Sequence, residues 1–313
     1  MKKIIILSFL MLLLISCGKK AGNKEQRTDS QAAVTVESDN LTSFCQFDLF
    51  FPLQEEFDWA KIEKQNHELK IEFIKNNPKE FEYYRLDYEN SLTLSDLEHD
   101  LHIIDFNGDG LDDIIFDGES GSEAREISIF INIGRSFSKI FTEYQEIYKM
   151  VIENGRVHKL YIRDEGCCCE YIGISKIYCV DYSRTFPEIN LISKMEYLNH
   201  GYEGDREYPS HYFDKPVKFE VLNNQYNIRF SPVMDDTTQI HYCGEPRNGN
   251  SLGKIKSGSI GYALAEKVDA TGRVWWFVAL EPQSKIYESI YNETIDTYKL
   301  GWISNKFVKE IKE

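Results

Sequence analysis

Within DFNGDGLDDIIF, residues 105–116, Asp105, Asn107 and Asp109 alternate, Gly110 follows, and Asp113 closes the set. Oxygen-bearing side chains at positions 1, 3, 5 and 9 of a short loop, with the Leu111 carbonyl between them, are the donors calcium takes. That ion wants six to eight oxygens at about 2.3–2.6 Å. Gly110 fits the sharp bend, where the backbone needs a conformation that a Cβ opposes. An Asx-rich turn that folds without metal is the other reading. Every donor comes from one local loop with no nucleophile or base beside it, so the expected ion is structural rather than catalytic. His99 and His102 lie near by without spaced partners and read as surface or packing residues.

The cysteines offer a second chemistry. Seven are present: Cys17, Cys45, Cys167, Cys168, Cys169, Cys179 and Cys243. Setting Cys17 aside leaves six, an even number that reads first as disulfides in an oxidising compartment, with 15 possible pairings. In a strand, Cys167 and Cys169 face one way and Cys168 the other, so the cluster can serve two disulfides. Zinc thiolate ligation, with His158 as a further ligand, and buried free thiols are the alternatives; the spacing departs from paired Cys-x-x-Cys knuckles. A third set is aromatic. Trp275, Trp276 and Trp302 are candidate ligand contacts, or simply core. Alternation puts Trp275 with Phe277 on one face and Trp276 with Val278 on the other.

The elements that must position these residues are short and mostly extended. Gln54 to Lys75 carries loosely helix-spaced apolar residues (Phe57, Ile62, Leu69, Phe73 and Ile74), and Asn76-Asn77-Pro78 stops it. Beyond Pro78, runs such as LHIID, DDIIF, ISIFINI, HKLYIRD and SKIYCVD are rich in Ile, Tyr and Phe, with Gly, Asn and Asp between them, and read as strands. The expected fold is therefore mainly β in two domains. A β-rich domain over 41–220 holds one helix and the acidic loop in a hairpin, and a smaller β unit occupies 221–313. The stretch from Tyr208 to Val217 is the expected join.

Three resemblances sharpen this. Lys2 and Lys3 precede an apolar run from Ile4 to Ile15, which ends in Leu14-Ile15-Ser16-Cys17. The run has signal-peptide length, well short of the roughly 20 apolar residues of a spanning helix. The pattern resembles the lipobox of bacterial lipoproteins. It implies a signal peptide over 1–16, a diacylated Cys17 as mature N-terminus, and a flexible polar tether over 17–40. Several acyl chains anchor stably, since each buried CH₂ contributes about 0.8 kcal/mol. Gly18 after Cys17 leans toward the outer membrane in a Gram-negative cell.

The acidic loop departs from the EF-hand pattern, because Phe116 stands where that loop has a bidentate Glu and strand-like segments flank it. With ISIFINIG and SFSKIF after it, it resembles the calcium loop of FG-GAP or VCBS-type repeats, in a single copy. Farther on, Asn227-Ile228-Arg229 with Pro232, Gly253 to Gly258, Trp275-Trp276-Phe277-Val278 and Gly301-Trp302 through Val308 follow the order of motifs in bacterial SH3 (SH3b) domains. That resemblance implies a small SH3-like β-barrel and binding to peptidoglycan stem peptides or a neighbouring protein. Insertions at Asp235 to Asn250 and Glu281 to Tyr298 lengthen its loops.

The formal net charge of −15 argues against nucleic acid as a partner. No later segment is apolar enough to span a bilayer. The expectation is a non-catalytic, lipid-anchored binding protein of the cell envelope. The alternative is a wall-associated hydrolase whose catalytic domain lies within 41–220, with the SH3b-like unit as its targeting module.

Overall fold

The chain between Trp59 and Asn76 turns twice before its first strand. A computed structural model describes residues 57–81, 94–119, 125–164, 172–198, 207–242, 245–291 and 296–312, all within one compact unit, Ser38–Glu313. The expected signal peptide over 1–16, the expected tether over 17–40 with Cys17, and Cys45, Cys167, Cys168, Cys169 and Cys243 lie outside the described residues. The expected helix from Gln54 is shorter: a 3-10 turn covers Trp59–Lys61, and helix α1 runs His67–Asn76. Asn66 starts α1 by accepting the Leu69 amide at 3.2 Å. Asn77 stops it, with its amide and side chain both donating to the Phe73 carbonyl. A second helix, α2 (Leu94–His99), was not anticipated.

The fold is mainly β. Strands β1 (Leu101–Ile104), β2 (Asp113–Glu119), β3 (Arg125–Asn132) and β4 (Phe137–Glu143) form an antiparallel sheet in that order. Its strands are apolar in runs because both faces are covered. Leu101, Ile103, Ile114, Phe116 and Phe130 meet Phe73, Ile74 and Leu97 from the helices. On the other face Ile104, Ile115, Ile127, Ile129 and Ile131 meet Ile147, Leu160, Ile162 and Val180.

Those last residues belong to a second sheet. Strands β5 (Glu146–Glu153), β6 (Arg156–Asp164), β7 (Ile172–Asp181) and β8 (Glu188–Leu198) form an antiparallel meander. The β5–β6 turn is Asn154-Gly155 with both residues at positive φ, as a two-residue hairpin of the I′ type requires. The later strands are β9 (Val217–Val221), β10 (Tyr226–Arg229), β13 (Ser251–Ile255), β14 (Ile260–Val268), β15 (Val274–Leu280), β16 (Ile286–Tyr287), β17 (Tyr298–Ser304) and β18 (Val308–Glu310). A separate hairpin pairs β11 (Gln239–Tyr242) with β12 (Glu245–Asn248), within the first insertion.

The later strands do not stand apart from the meander. Strand β17 pairs in parallel with β8, Tyr298 opposite Met195 and Lys299 opposite Glu196. The fully buried Glu196 meets the Lys299 ammonium at 3.3 Å. One sheet therefore crosses the expected boundary at 220/221. The expected SH3-like barrel is likewise not closed: β18 ends one side of this sheet and β16 ends the branch through β10 and β13. The reason lies in β15 and β17, which are buried on both faces. Trp276, Val278 and Ile303 pack with Phe219, Ile228 and Leu252. Trp275, Phe277 and Trp302 pack with Tyr148, Tyr161, Ile177 and Met195 of the meander. Covering that second face requires the preceding strands.

Candidate functional site

The acidic loop joins β1 to β2, and its polar atoms are turned inward on its own backbone. Asp105 accepts the amides of Gly108 (2.8 Å) and Asp109 (3.1 Å) on one oxygen and that of Gly110 (2.9 Å) on the other. Asn107 accepts the Asp109 amide, and Asp109 that of Leu111. Gly108 and Gly110 sit at φ +77° and +87°, the left-handed region that glycine enters at little cost. Asp113, with no exposed surface, accepts the Phe106 amide on one oxygen and the Asn132 amide on the other, each at 2.8 Å. Burial pushes its carboxyl up to about 6, against the pull of those two amides. The Phe106 carbonyl in turn accepts the Val157 amide and the Tyr182 hydroxyl, which ties the loop to the second sheet. Asp105, Asn107, Asp109 and Asp113 thus share one loop, but among the described residues no three His, Cys, Asp or Glu side chains converge closely enough to hold a metal ion. The loop in this arrangement is a backbone staple.

A buried polar cluster lies near by. The Trp59 indole stacks on His102 at 3.9 Å and donates to Asp117 at 3.1 Å. His102 bonds Glu63 at 2.9 Å, and Arg125 lies 3.4 Å from Asp117. Burial pushes His102 down to about 4, against the pull of Glu63. Burial raises Asp117 to about 6, against Arg125 and the Trp59 donor. His102 is therefore a packing residue, as expected, while His99 is exposed beside Asp100.

The three tryptophans are core. Trp275 and Trp302 are 1% exposed and Trp276 7%. Each indole N–H is spent: Trp275 on Asp269 (2.8 Å), Trp276 on Glu266 (3.1 Å) and Trp302 on the Glu207 carbonyl (2.5 Å). The alternation read from sequence holds, with Trp275 and Phe277 in one core and Trp276 and Val278 in the other. Of the three, Trp275 also borders a groove of about 220 Å³, where its neighbours are Tyr226, Arg229, Arg273, Lys306 and Phe307.

That groove lies between the β9–β10 turn, the turn before β15 and the 3-10 turn Asn305–Phe307. The Tyr226 hydroxyl donates to the Ser304 carbonyl at 2.7 Å, and its ring meets Phe307 edge-on at 5.6 Å. Arg229 is 4% exposed and bonded to Asn250 (2.6 Å), the Asp235 carbonyl (2.8 Å) and Asp236 (2.7 Å), so it props up the wall. Arg273 lies 5.8 Å over the Trp275 ring and Lys306 5.3 Å over Phe307. Neither cation pairs with a carboxylate among the described residues. Sequence reading passed over Tyr226, Arg273, Lys306 and Phe307. The last two stand inside the closing motif, so a signal was present, but it marked the framework rather than the groove.

Cys179 is the one candidate cysteine among the described residues, buried on β7. No known family model, curated protein or solved structure matches this chain.

Proposed function

We propose that the chain is a lipid-anchored, non-catalytic binding protein of the bacterial cell envelope, which meets peptidoglycan or an envelope protein through its C-terminal unit. The observation that carries this is the groove at Tyr226, Arg273, Lys306 and Phe307: two cations without carboxylate partners among the described residues, held over aromatic rings at the rim of a pocket. Unspent charge on a rigid aromatic frame suits recognition, since the cost of ordering it is already met. The lipobox-like ending at Cys17 supports the anchor and the envelope location, with the outer membrane favoured in a Gram-negative cell. The order of SH3b-like motifs supports a binding module, here an open sheet continuous with the strands before it.

Co-sedimentation of the full chain, in detergent, with purified sacculi tests this. Pelleting without muropeptide release supports the proposal. Release overturns it in favour of the hydrolase reading, and a chain that stays in the supernatant overturns wall contact.

Calcium at Asp105, Asn107, Asp109, Leu111 and Asp113 belongs to the same proposal as a structural ion. Its support is the donor chemistry of the loop; binding would have to draw the carboxylates together. A melting temperature raised by calcium and lowered again by EDTA, with no such rise in Asp109→Ala, supports it. Coincident melts with calcium and with EDTA overturn it.

A further inference from the structure

The envelope-binding reading leaves open which ligand chemistry the groove selects, and its charges bear on that. The chain carries 51 acidic against 36 basic residues, so a pocket with three cations and few free carboxylates is out of keeping with the surface around it. The two acids near the groove are committed. Asp236 pairs with Arg229 at 2.7 Å. Asp269 accepts the Trp275 indole and the amides of Thr271 and Arg273. Among the described residues Arg273 and Lys306 remain without a carboxylate, each held over a ring face that orients its head group without neutralising it.

The rest of the lining is mixed: Tyr226, Phe307 and the exposed Met234 give aromatic and apolar faces, and Gln225, Asn227 and Ser304 give polar ones. A bare inorganic anion would use the cations and leave those faces idle. A polyphosphate would meet the field of a body at −15. The volume, about 220 Å³, falls below the roughly 300 Å³ at which drug-sized pockets begin, and suits a few side chains of an extended chain. At the rim Gln225 is held at φ 54°, a conformation that a non-glycine residue adopts at a cost and that clusters at binding sites.

We propose that this groove binds an extended acidic peptide segment, with carboxylates set against Arg273 and Lys306 and its backbone and small side chains laid on Tyr226 and Phe307. The proposal rests on the binding-protein reading and narrows it to anionic peptide.

The test is calorimetric titration of the full chain in detergent with two capped pentapeptides, Ala-Glu-Ala-Glu-Ala and its Gln counterpart. The Glu peptide is expected to bind about tenfold more tightly, with the gap closing as salt rises from about 50 mM to about 500 mM. Arg273→Ala and Lys306→Ala should each weaken it about fivefold, with circular dichroism and melting unchanged. Equal binding of the two peptides, or full affinity in both variants, overturns the proposal. Displacement of the Glu peptide by an equal concentration of inorganic phosphate also overturns it, by reducing the site to an anion site. The failure of the two readings is distinguishable. Sacculi that pellet wild type and both variants alike overturn the peptide groove and keep the envelope reading. Glu-peptide binding that the variants weaken, without sacculus pelleting, supports the groove and overturns wall contact.

Discussion

The loop at residues 105–113 and the groove around Tyr226 and Arg273 both gather polar groups at turns between strands, and they dispose of them in opposite ways. In the loop, the Asp105 and Asp113 oxygens are bonded to backbone amides, and the two left-handed positions are glycines. In the groove, two cations rest on rings without a carboxylate among the described residues, and a left-handed position is occupied by glutamine. A polar group bonded on all sides holds a fold together. One that the fold positions but does not neutralise is available to a ligand. By this criterion the loop that looks most like chemistry in the sequence acts as a staple, and the groove it did not advertise is the site proposed for binding.

The largest effect should come from breaking the staple. Asp113→Ala leaves the Phe106 and Asn132 amides buried without an acceptor, and should cost about 3–5 kcal/mol, read from urea midpoints. A loss below about 1 kcal/mol would remove the contrast between the regions.

The buried cluster beside the loop sharpens it through pH. Asp117 rises from 3.8 to about 6 on folding, so its contribution is complete below pH 3.8 and lost as pH rises toward 6. His102 falls from 6.5 to about 4, so its contribution is complete above pH 6.5 and lost as pH falls toward 4. Each shift corresponds to roughly 3 kcal/mol, and the two slopes oppose one another over the same interval. Wild-type stability should therefore vary little between pH 4 and 6 on their account. Asp113, likewise raised to about 6, adds a fall with rising pH to every profile, so His102→Gln should fall more steeply than wild type there and Asp117→Asn less steeply. Parallel profiles in the two variants would contradict the assignment.

At the groove the expected stability effects are small. Gln225→Gly should gain roughly 0.5 kcal/mol by relieving the left-handed backbone, net of the chain entropy glycine adds. Arg273→Ala and Lys306→Ala should each change stability by less than about 0.5 kcal/mol, because among the described residues neither pairs with a carboxylate and each loses only a ring contact. A loss of several kcal/mol in either would make that cation structural after all.

Much of the first sheet was legible, because its strands announce themselves locally. LHIID, DDIIF and ISIFINI became β1, β2 and β3, and the Asp-Gly loop between the first two is a hairpin turn as read. The face assignment of Trp275 through Val278 also followed from strand alternation alone. The helix start was misplaced because weak apolar spacing extends back to Phe57, whereas Asn66 supplies the cap. The boundary at 220 was drawn where composition changes, but β8 and β17 pair across about 100 residues, and no local pattern encodes a parallel partner. The groove was missed for a related reason. That Arg273 and Lys306 lack carboxylates among the described residues depends on which acids are drawn to Arg229 and the Trp275 indole instead.

The most direct test is co-sedimentation of the full chain and of its Arg273→Ala/Lys306→Ala double variant with purified sacculi, with both melts recorded beside it. Wild type should pellet while the double variant remains in the supernatant at an unchanged melting temperature. Equal pelleting of the two would place envelope contact outside this groove and contradict the division of roles between the two regions.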